Sequence, residues 1–156
     1  MVAVLVVMTV FTACSSSGNS NEKLQGSKLN HNILMVKLGS PELIPDITYE
    51  DAYDNFFVNP EWRGFEADDG SDVVEFSGEC TYGGEDATVY IQFVVENSET
   101  FYMHYVSIDV GGEQIDADYQ TYADLVYTPF SDYAENVLGE ELDDDVKNEF
   151  LQLMSY

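Results

Sequence analysis

Three consecutive segments between residues 72 and 110 alternate apolar and polar side chains, and two or three turn-forming residues separate each from the next. They read DVVEFSGECTY, EDATVYIQFVVE and TFYMHYVSIDV. Alternation with a period of two is typical of strands, and short turns join strands that run antiparallel. With the preceding segment WRGFEA, the pattern predicts a four-stranded antiparallel meander with turns at residues 68–71, 83–84 and 97–99 and an end at 111–112.

The same alternation predicts which side chains of the meander face inward. They are Val74, Phe76, Gly78, Cys80 and Tyr82, then Val89, Ile91, Phe93 and Val95, then Tyr102, His104, Val106, Ile108 and Val110. We expect Cys80 to be a small buried residue in preference to a nucleophile, and His104 to be a buried histidine in preference to a base. Trp62 begins the first strand, so we expect it to anchor the sheet in preference to stacking on a sugar.

Helical periodicity precedes and follows the meander. An aromatic stripe from Tyr49 to Phe57 follows the good N-cap residue Thr48 and ends at Asn59 and Pro60. Later helices are expected from residue 119 to a stop at Pro129, over 132–138 with an end at Gly139, and after residues 143–145. The run 32–38 is expected to form an added edge strand. The predicted fold class is α+β, with an N-terminal helix, the four-stranded meander and C-terminal helices packed on one face.

The chain is strongly acidic, with 30 aspartates and glutamates against 5 lysines and arginines and a formal charge of −25. Between Leu38 and Val146 the only basic residue is Arg63. Such a surface repels polyanions, which excludes DNA and RNA as partners. Three explanations of the acidity stay open: a hard cation, a basic partner, or solubility through self-repulsion, and the last is favoured.

Motifs that carry catalysis or hold metals are missing from the sequence. It contains no Gly-x-Ser-x-Gly, no phosphate-binding glycine loop and no His-Glu-x-x-His. The DDGSD segment (68–72) fails the calcium-loop template, because Phe65, Ala67 and Phe76 stand where ligands belong, so a hairpin turn is expected there. The acids at 140–145 are expected to form a solvated helix start. We therefore expect a protein that is not an enzyme, with no catalytic residue, no metal and no cofactor.

The N-terminus predicts a cellular location. Residues 1–13 are uncharged and mostly apolar, and Cys14 separates them from a serine-rich stretch. The run Phe11-Thr12-Ala13-Cys14 resembles the lipobox of bacterial lipoproteins, in which the cysteine receives a diacylglycerol and becomes the first mature residue. The resemblance implies a signal peptide (1–13), a flexible tether (14–31) and a single acidic domain (32–156). The alternative is a short buried strand with a chance cysteine. Lipidation of Cys14 leaves Cys80 without an intrachain disulfide partner.

Residues 45–110 resemble a small domain found in surface lipoproteins and membrane-tethered proteins of Gram-positive anaerobes. The resemblance rests on a threonine-led helix with paired phenylalanines, a Pro-x-Trp element, a glycine turn and a Val-Val-Glu-Phe-x-Gly strand. These are Thr48, Phe56, Phe57, Pro60, Trp62, Gly70, Val73, Val74, Glu75, Phe76 and Gly78. It implies no activity, because the family has no settled function and the shared positions look like core and turn residues.

The expected protein is a lipoprotein on the outer face of a Gram-positive-type membrane. Because no catalytic constellation accompanies the anchor, we expect a binding or interaction module for an envelope protein or a wall glycan. The alternative is an inhibitor or accessory protein of an envelope enzyme. That alternative rests on fold analogy alone, since a helix followed by a four-stranded meander is also seen in β-lactamase-inhibitor-like domains.

Overall fold

The computed structural model describes residues 19–153 of the 156-residue chain. The predicted signal peptide and Cys14 lie outside the described residues. The elements in chain order are α1 (Asn19–Leu38), α2 (Tyr49–Phe56), β1 (Val58–Glu66), β2 (Asp72–Tyr82), β3 (Glu85–Val95), β4 (Phe101–Val110), β5 (Glu113–Asp116), α3 (Tyr119–Tyr133), a π-helical turn (Ala134–Leu138) and α4 (Asp144–Leu153). The predicted α+β class is confirmed.

The strands form one antiparallel sheet in the order β1-β2-β3-β4-β5. The predicted meander is present, with β5 as a fifth strand that the sequence pattern did not predict. β5 pairs with β4 after the turn at Gly111 and Gly112, which adopt φ of 64° and 88°. All four residues of β5 are exposed, so the strand lacks the apolar alternation that identified its neighbours.

The core lies between one face of the sheet and the helices. Val89, Ile91 and Phe93 of β3 are fully buried and lie in the same cluster as residues from all four helices. Tyr53 of α2 is at the centre, with its ring 5.0 Å from that of Phe76 in β2 and 5.7 Å from that of Phe130 in α3. The aromatic stripe of α2 is thus core, as predicted.

The start of α2 follows directly from its sequence. The Thr48 hydroxyl accepts the Asp51 N–H at 3.0 Å, and the Asp51 carboxylate accepts the Thr48 N–H at 3.3 Å. This reciprocal pair satisfies two backbone donors at the helix start. The helix ends at Phe56, so Asn59 and Pro60 lie in β1.

The inward orientation predicted for Tyr102 and His104 is wrong. In the β3–β4 register, Gln92 pairs with Tyr105 but Phe93 pairs with Met103, so His104 is an extra residue in β4. This β-bulge reverses the alternation of the first part of the strand. Tyr102 and His104 are therefore exposed, and Phe101 and Met103 pack against the core in their place.

The edge strand predicted at 32–38 is also wrong, because residues 19–38 form helix α1. The described part of the predicted tether, residues 19–31, belongs to the same helix. Asn32 and Val36 are buried, while Leu34 and Leu38 are exposed. A buried asparagine and exposed leucines hide the helical periodicity, which explains the failed prediction. Lys28 bonds Asp72 at 2.6 Å, which ties α1 to the start of β2.

Pro129 does not end its helix, contrary to prediction. α3 continues through it to Tyr133 and on into the π-helical turn. Proline removes one backbone hydrogen bond. Val126, Phe130 and Ala134 are fully buried on either side of Pro129, and this packing maintains the helix. The segment ends at Gly139 with φ of 72°, as the sequence predicted.

Candidate functional site

An open groove of ≈ 930 Å³ lies at the end of the sheet where the β2–β3 and β4–β5 turns meet helices α2 and α3. We call it the end groove. Its residues come from six stretches of the chain: Phe56 and Val58; Glu79, Cys80, Thr81 and Tyr82; Asp86, Ala87 and Thr88; Asp109; Gly111 and Gly112; and Asp124, Leu125 and Thr128.

The floor of the end groove is apolar. Phe56 closes α2, Leu125 projects from α3, and Cys80 and Ala87 pair across β2 and β3. Val58 begins β1 and is 60% exposed, although it is a large aliphatic residue. Val58 thus adds an exposed aliphatic side chain to the lining of the groove.

The wall of the end groove is fixed by a hydrogen bond between the sheet and α3. The Tyr82 hydroxyl lies 2.8 Å from the Thr121 hydroxyl, and this contact joins the end of β2 to the first turn of α3. The Thr121 N–H in turn donates to the capping carboxylate of Asp118 at 2.9 Å. These two contacts hold the end of β2 against the start of α3 on one side of the groove.

Four carboxylates are among the lining residues: Glu79, Asp86, Asp109 and Asp124. Strand alternation places Glu79, Asp86 and Asp109 on the face of the sheet that carries Glu75 and Gln92, away from the helices. None of the described residues that line the groove is a lysine, an arginine or a histidine. Glu79 accepts a hydrogen bond from the Asn59 amide at 3.0 Å, and Asp109 accepts the Gly112 N–H at 2.8 Å. Over residues 19–153, no three acidic, cysteine or histidine side chains converge closely enough to hold a metal ion.

Cys80 is the one thiol in the groove, and it is a free cysteine. It packs against the core while half-buried, which is less complete burial than the sequence predicted. Desolvation by burial raises the pKa of the Cys80 thiol. The thiol therefore stays neutral near pH 7, and a neutral thiol is a poor nucleophile.

Trp62 anchors the sheet, as predicted, with a half-buried ring. Its indole N–H donates to the Asp54 carboxylate at 2.7 Å, and its ring packs 4.9 Å from Phe76. The Lys37 ammonium lies 5.7 Å from the ring centroid. These contacts occupy the ring and leave it poorly placed to stack on a sugar.

A buried carboxylate that the sequence did not single out as functional lies on the opposite face of the sheet. Glu75 is 5% exposed and accepts hydrogen bonds from the Arg63 guanidinium at 2.8 Å and the Gln92 amide at 2.7 Å. Cross-strand register places all three residues in one row. Because its partners satisfy both oxygens, Glu75 is a structural residue of the Val-Val-Glu-Phe-x-Gly strand.

The other acidic clusters have local structural roles. The Asp69 carboxylate accepts the Ser71 N–H at 2.9 Å in the β1–β2 hairpin, and this backbone bond lowers the pKa of Asp69. Asp143 accepts the Asp145 N–H at 3.0 Å at the start of α4. The hairpin and helix-start predictions are confirmed.

The two histidines, His31 of α1 and His104 of β4, are exposed on separate elements.

Comparison of the chain with protein-family models, with curated proteins and with solved structures gave no match. Among the helices between residues 19 and 153, none has both the length and the apolar composition that crossing a bilayer requires.

Proposed function

We propose that the protein is a lipid-anchored, non-catalytic binding module on the outer face of the cell membrane, and that its ligand occupies the end groove. The observation that supports this most directly is the composition of the groove. Apolar residues of α2, α3 and the sheet line it, among them Phe56, Cys80 and Leu125, together with a small number of polar side chains. A small number of polar groups around an apolar concavity is the usual form of a ligand site.

Two carboxylates of the groove are bonded to groups that are not nucleophiles, since Glu79 accepts from the Asn59 amide and Asp109 from the Gly112 N–H. A nucleophile requires an adjacent base, and no histidine is among the described residues of the lining. The neutral thiol of Cys80 has no activating partner there. These features favour binding over chemistry.

The lipid anchor rests on Cys14 and the small residue before it. α1 begins at Asn19, five residues after Cys14. At about 3.5 Å for each fully extended residue, the start of α1 lies within roughly 18 Å of the acylated cysteine. The Lys37 ion pair with Glu50, at 2.8 Å, holds the other end of α1 on α2. The proposed anchor thus keeps the domain close to the membrane surface.

Cys14→Ala is expected to move the protein from the membrane fraction to the soluble fraction or to leave it unprocessed, because both acyl chains attach through that sulfur. The measurement is partition of cell fractions together with electrophoretic mobility. Cys80→Ala is the matched control and should partition like the wild type. Unchanged partition and mobility of the Cys14 variant would disprove the anchor.

A further inference from the structure

The side of helix α1 that is turned away from the domain carries exposed leucines. Leu24, Leu34 and Leu38 are 69%, 56% and 62% exposed. At about 100° per residue, these leucines and the exposed His31 fall within an arc of about 80°, and we call the four residues the outer face of α1. We infer that the outer face of α1 lies in the headgroup region of a lipid bilayer and fixes the orientation of the domain on the membrane. The inference rests on the lipid anchor of the proposed function.

The opposite side of α1 is already covered by the domain. Val36 is fully buried in the core, and Ile33 packs against it. The helix also touches β1 closely, because a Cβ on Gly64 would lie 3.2 Å from the Leu29 carbonyl oxygen and 3.4 Å from the Ile33 Cγ1. A helix with apolar residues on two opposite sides is expected to be covered on both. The domain covers one side, so the outer face of α1 requires a second apolar surface.

Two ion pairs help to fix the rotation of α1 about its own axis. Lys28 bonds Asp72 at the start of β2, at 2.6 Å, and Lys37 bonds Glu50 in the first turn of α2, at 2.8 Å. The two lysines are nine residues apart in sequence, which places them about 180° apart around the helix, on either flank of the outer face. The ion pairs and the packing on β1 therefore keep the outer face of α1 turned away from the domain.

The position of the proposed anchor selects lipid as the second surface. α1 begins five residues after Cys14, so its start stays within roughly 18 Å of the acylated cysteine. From Leu24 to Leu38 the outer face extends about 21 Å along the helix axis, at about 1.5 Å per residue. The helix can therefore lie along the bilayer surface without stretching its connection to the anchor. Stable attachment of a lipidated protein takes two signals, and a row of leucines beside the lipid supplies the second.

The distribution of charge favours the same orientation. Of the helices and strands that the structure describes, α1 alone has more basic than acidic residues, with three lysines against Glu22. The chain has 30 acidic residues, and all except Glu22 lie outside α1. Lipid headgroups carry phosphates, which repel an acidic surface. An anchored domain reduces this repulsion when it turns α1 toward the membrane and its acidic remainder toward solvent.

The test uses the full-length chain, purified from membranes in detergent and reconstituted into vesicles of phosphatidylglycerol and phosphatidylcholine. In a Cys80→Ala background, Leu34→Cys or Val137→Cys carries a fluorophore, while the sulfur of Cys14 is blocked by its lipid. Val137 of the π-helical turn is the matched control, because it is 55% exposed against 56% for Leu34. Quenching by a nitroxide-labelled lipid reports contact with the bilayer, and circular dichroism establishes that each variant keeps the fold.

We expect the nitroxide lipid to quench the fluorophore at position 34 about fivefold or more as strongly as at position 137, because the first lies among headgroups and the second in water. Leu24→Ser/Leu38→Ser should lower the quenching at position 34 about twofold or more, since it removes apolar contact with the bilayer. Ile115→Ser/Leu138→Ser, at two positions that are each 44% exposed, is the control pair and should leave the quenching unchanged.

Equal quenching at positions 34 and 137 would overturn the inference, since it would show an anchored domain without a fixed orientation. A blue-shifted fluorophore at position 34 without lipid quenching would also overturn it, because a protein surface, such as a second copy of the chain, would then cover the outer face of α1. Unchanged quenching in the Leu24→Ser/Leu38→Ser variant would reject the leucines as the contact.

The proposed anchor fails on a different readout, which is cosedimentation of the chain with the vesicles. A chain that stays in the supernatant would reject the anchor and the inference together. A chain that cosediments but shows equal quenching at both positions would reject the orientation and leave the anchor standing.

Discussion

Truncation of Tyr53 to alanine is expected to lower the free energy of unfolding by about 3–5 kcal/mol, in the range measured for large buried aromatic residues. The side chain is 0% exposed. Its ring lies within 6.2 Å of five other aromatic rings, those of Tyr49, Phe57, Trp62, Phe76 and Phe130. Removal would leave a cavity where α2, α3 and the sheet meet. Urea denaturation followed by far-UV circular dichroism measures the loss.

Tyr53→Phe is the matched variant, and we expect it to raise the free energy of unfolding by up to about 1 kcal/mol. The buried hydroxyl has no hydrogen-bond partner among the described residues. Desolvation raises its pKa well above the ordinary value, so it stays neutral. Phenylalanine keeps the ring contacts and removes the cost of an unsatisfied polar group. A loss of more than 1 kcal/mol on this change would mean that the hydroxyl is hydrogen-bonded after all.

Gly78→Val is expected to lower the free energy of unfolding by about 3 kcal/mol or more, at the upper end of the range for overpacked cores. A Cβ on Gly78 would lie 2.6 Å from the Phe57 Cβ and 2.8 Å from the Phe76 Cζ. The Phe57 Cβ is fixed to its backbone, so it cannot rotate away. β2 and the segment after α2 would have to separate.

Gly26→Ala is the control for Gly78→Val, because a Cβ at this exposed position in α1 meets nothing within 4 Å. Alanine in a helix interior should stabilise the chain by up to about 1 kcal/mol. Both variants are measured by the same urea denaturation. If Gly78→Val is as stable as the wild type, the close packing of β2 against Phe57 is incorrect.

The parts of the fold that were predictable are those in which neighbouring residues decide the structure. Alternation over β3 specifies a strand whichever elements surround it, and Thr48 caps α2 through an atom three residues away. α1 was missed because its buried face contains the polar residue Asn32, while Leu34 and Leu38 are exposed. The bulge at His104 was missed because register with β3, and not the β4 sequence, places the extra residue.

The end groove could not be predicted, because it combines residues from Phe56 to Thr128 that only tertiary packing brings together. Carboxylates are so frequent in this chain that the positions of the four in the groove form no recognisable pattern in the sequence. The surplus of negative charge, in contrast, is read directly from the sequence.

The most direct test of the binding proposal is site-specific photo-crosslinking on intact cells, followed by mass spectrometry of the joined product. A photoreactive amino acid replaces Val58 in the end groove, or Tyr102 at the far end of the sheet as the control. We predict that the Val58 position joins to one protein and that the Tyr102 position does not. The same products from both positions, or no product from Val58, would contradict the account.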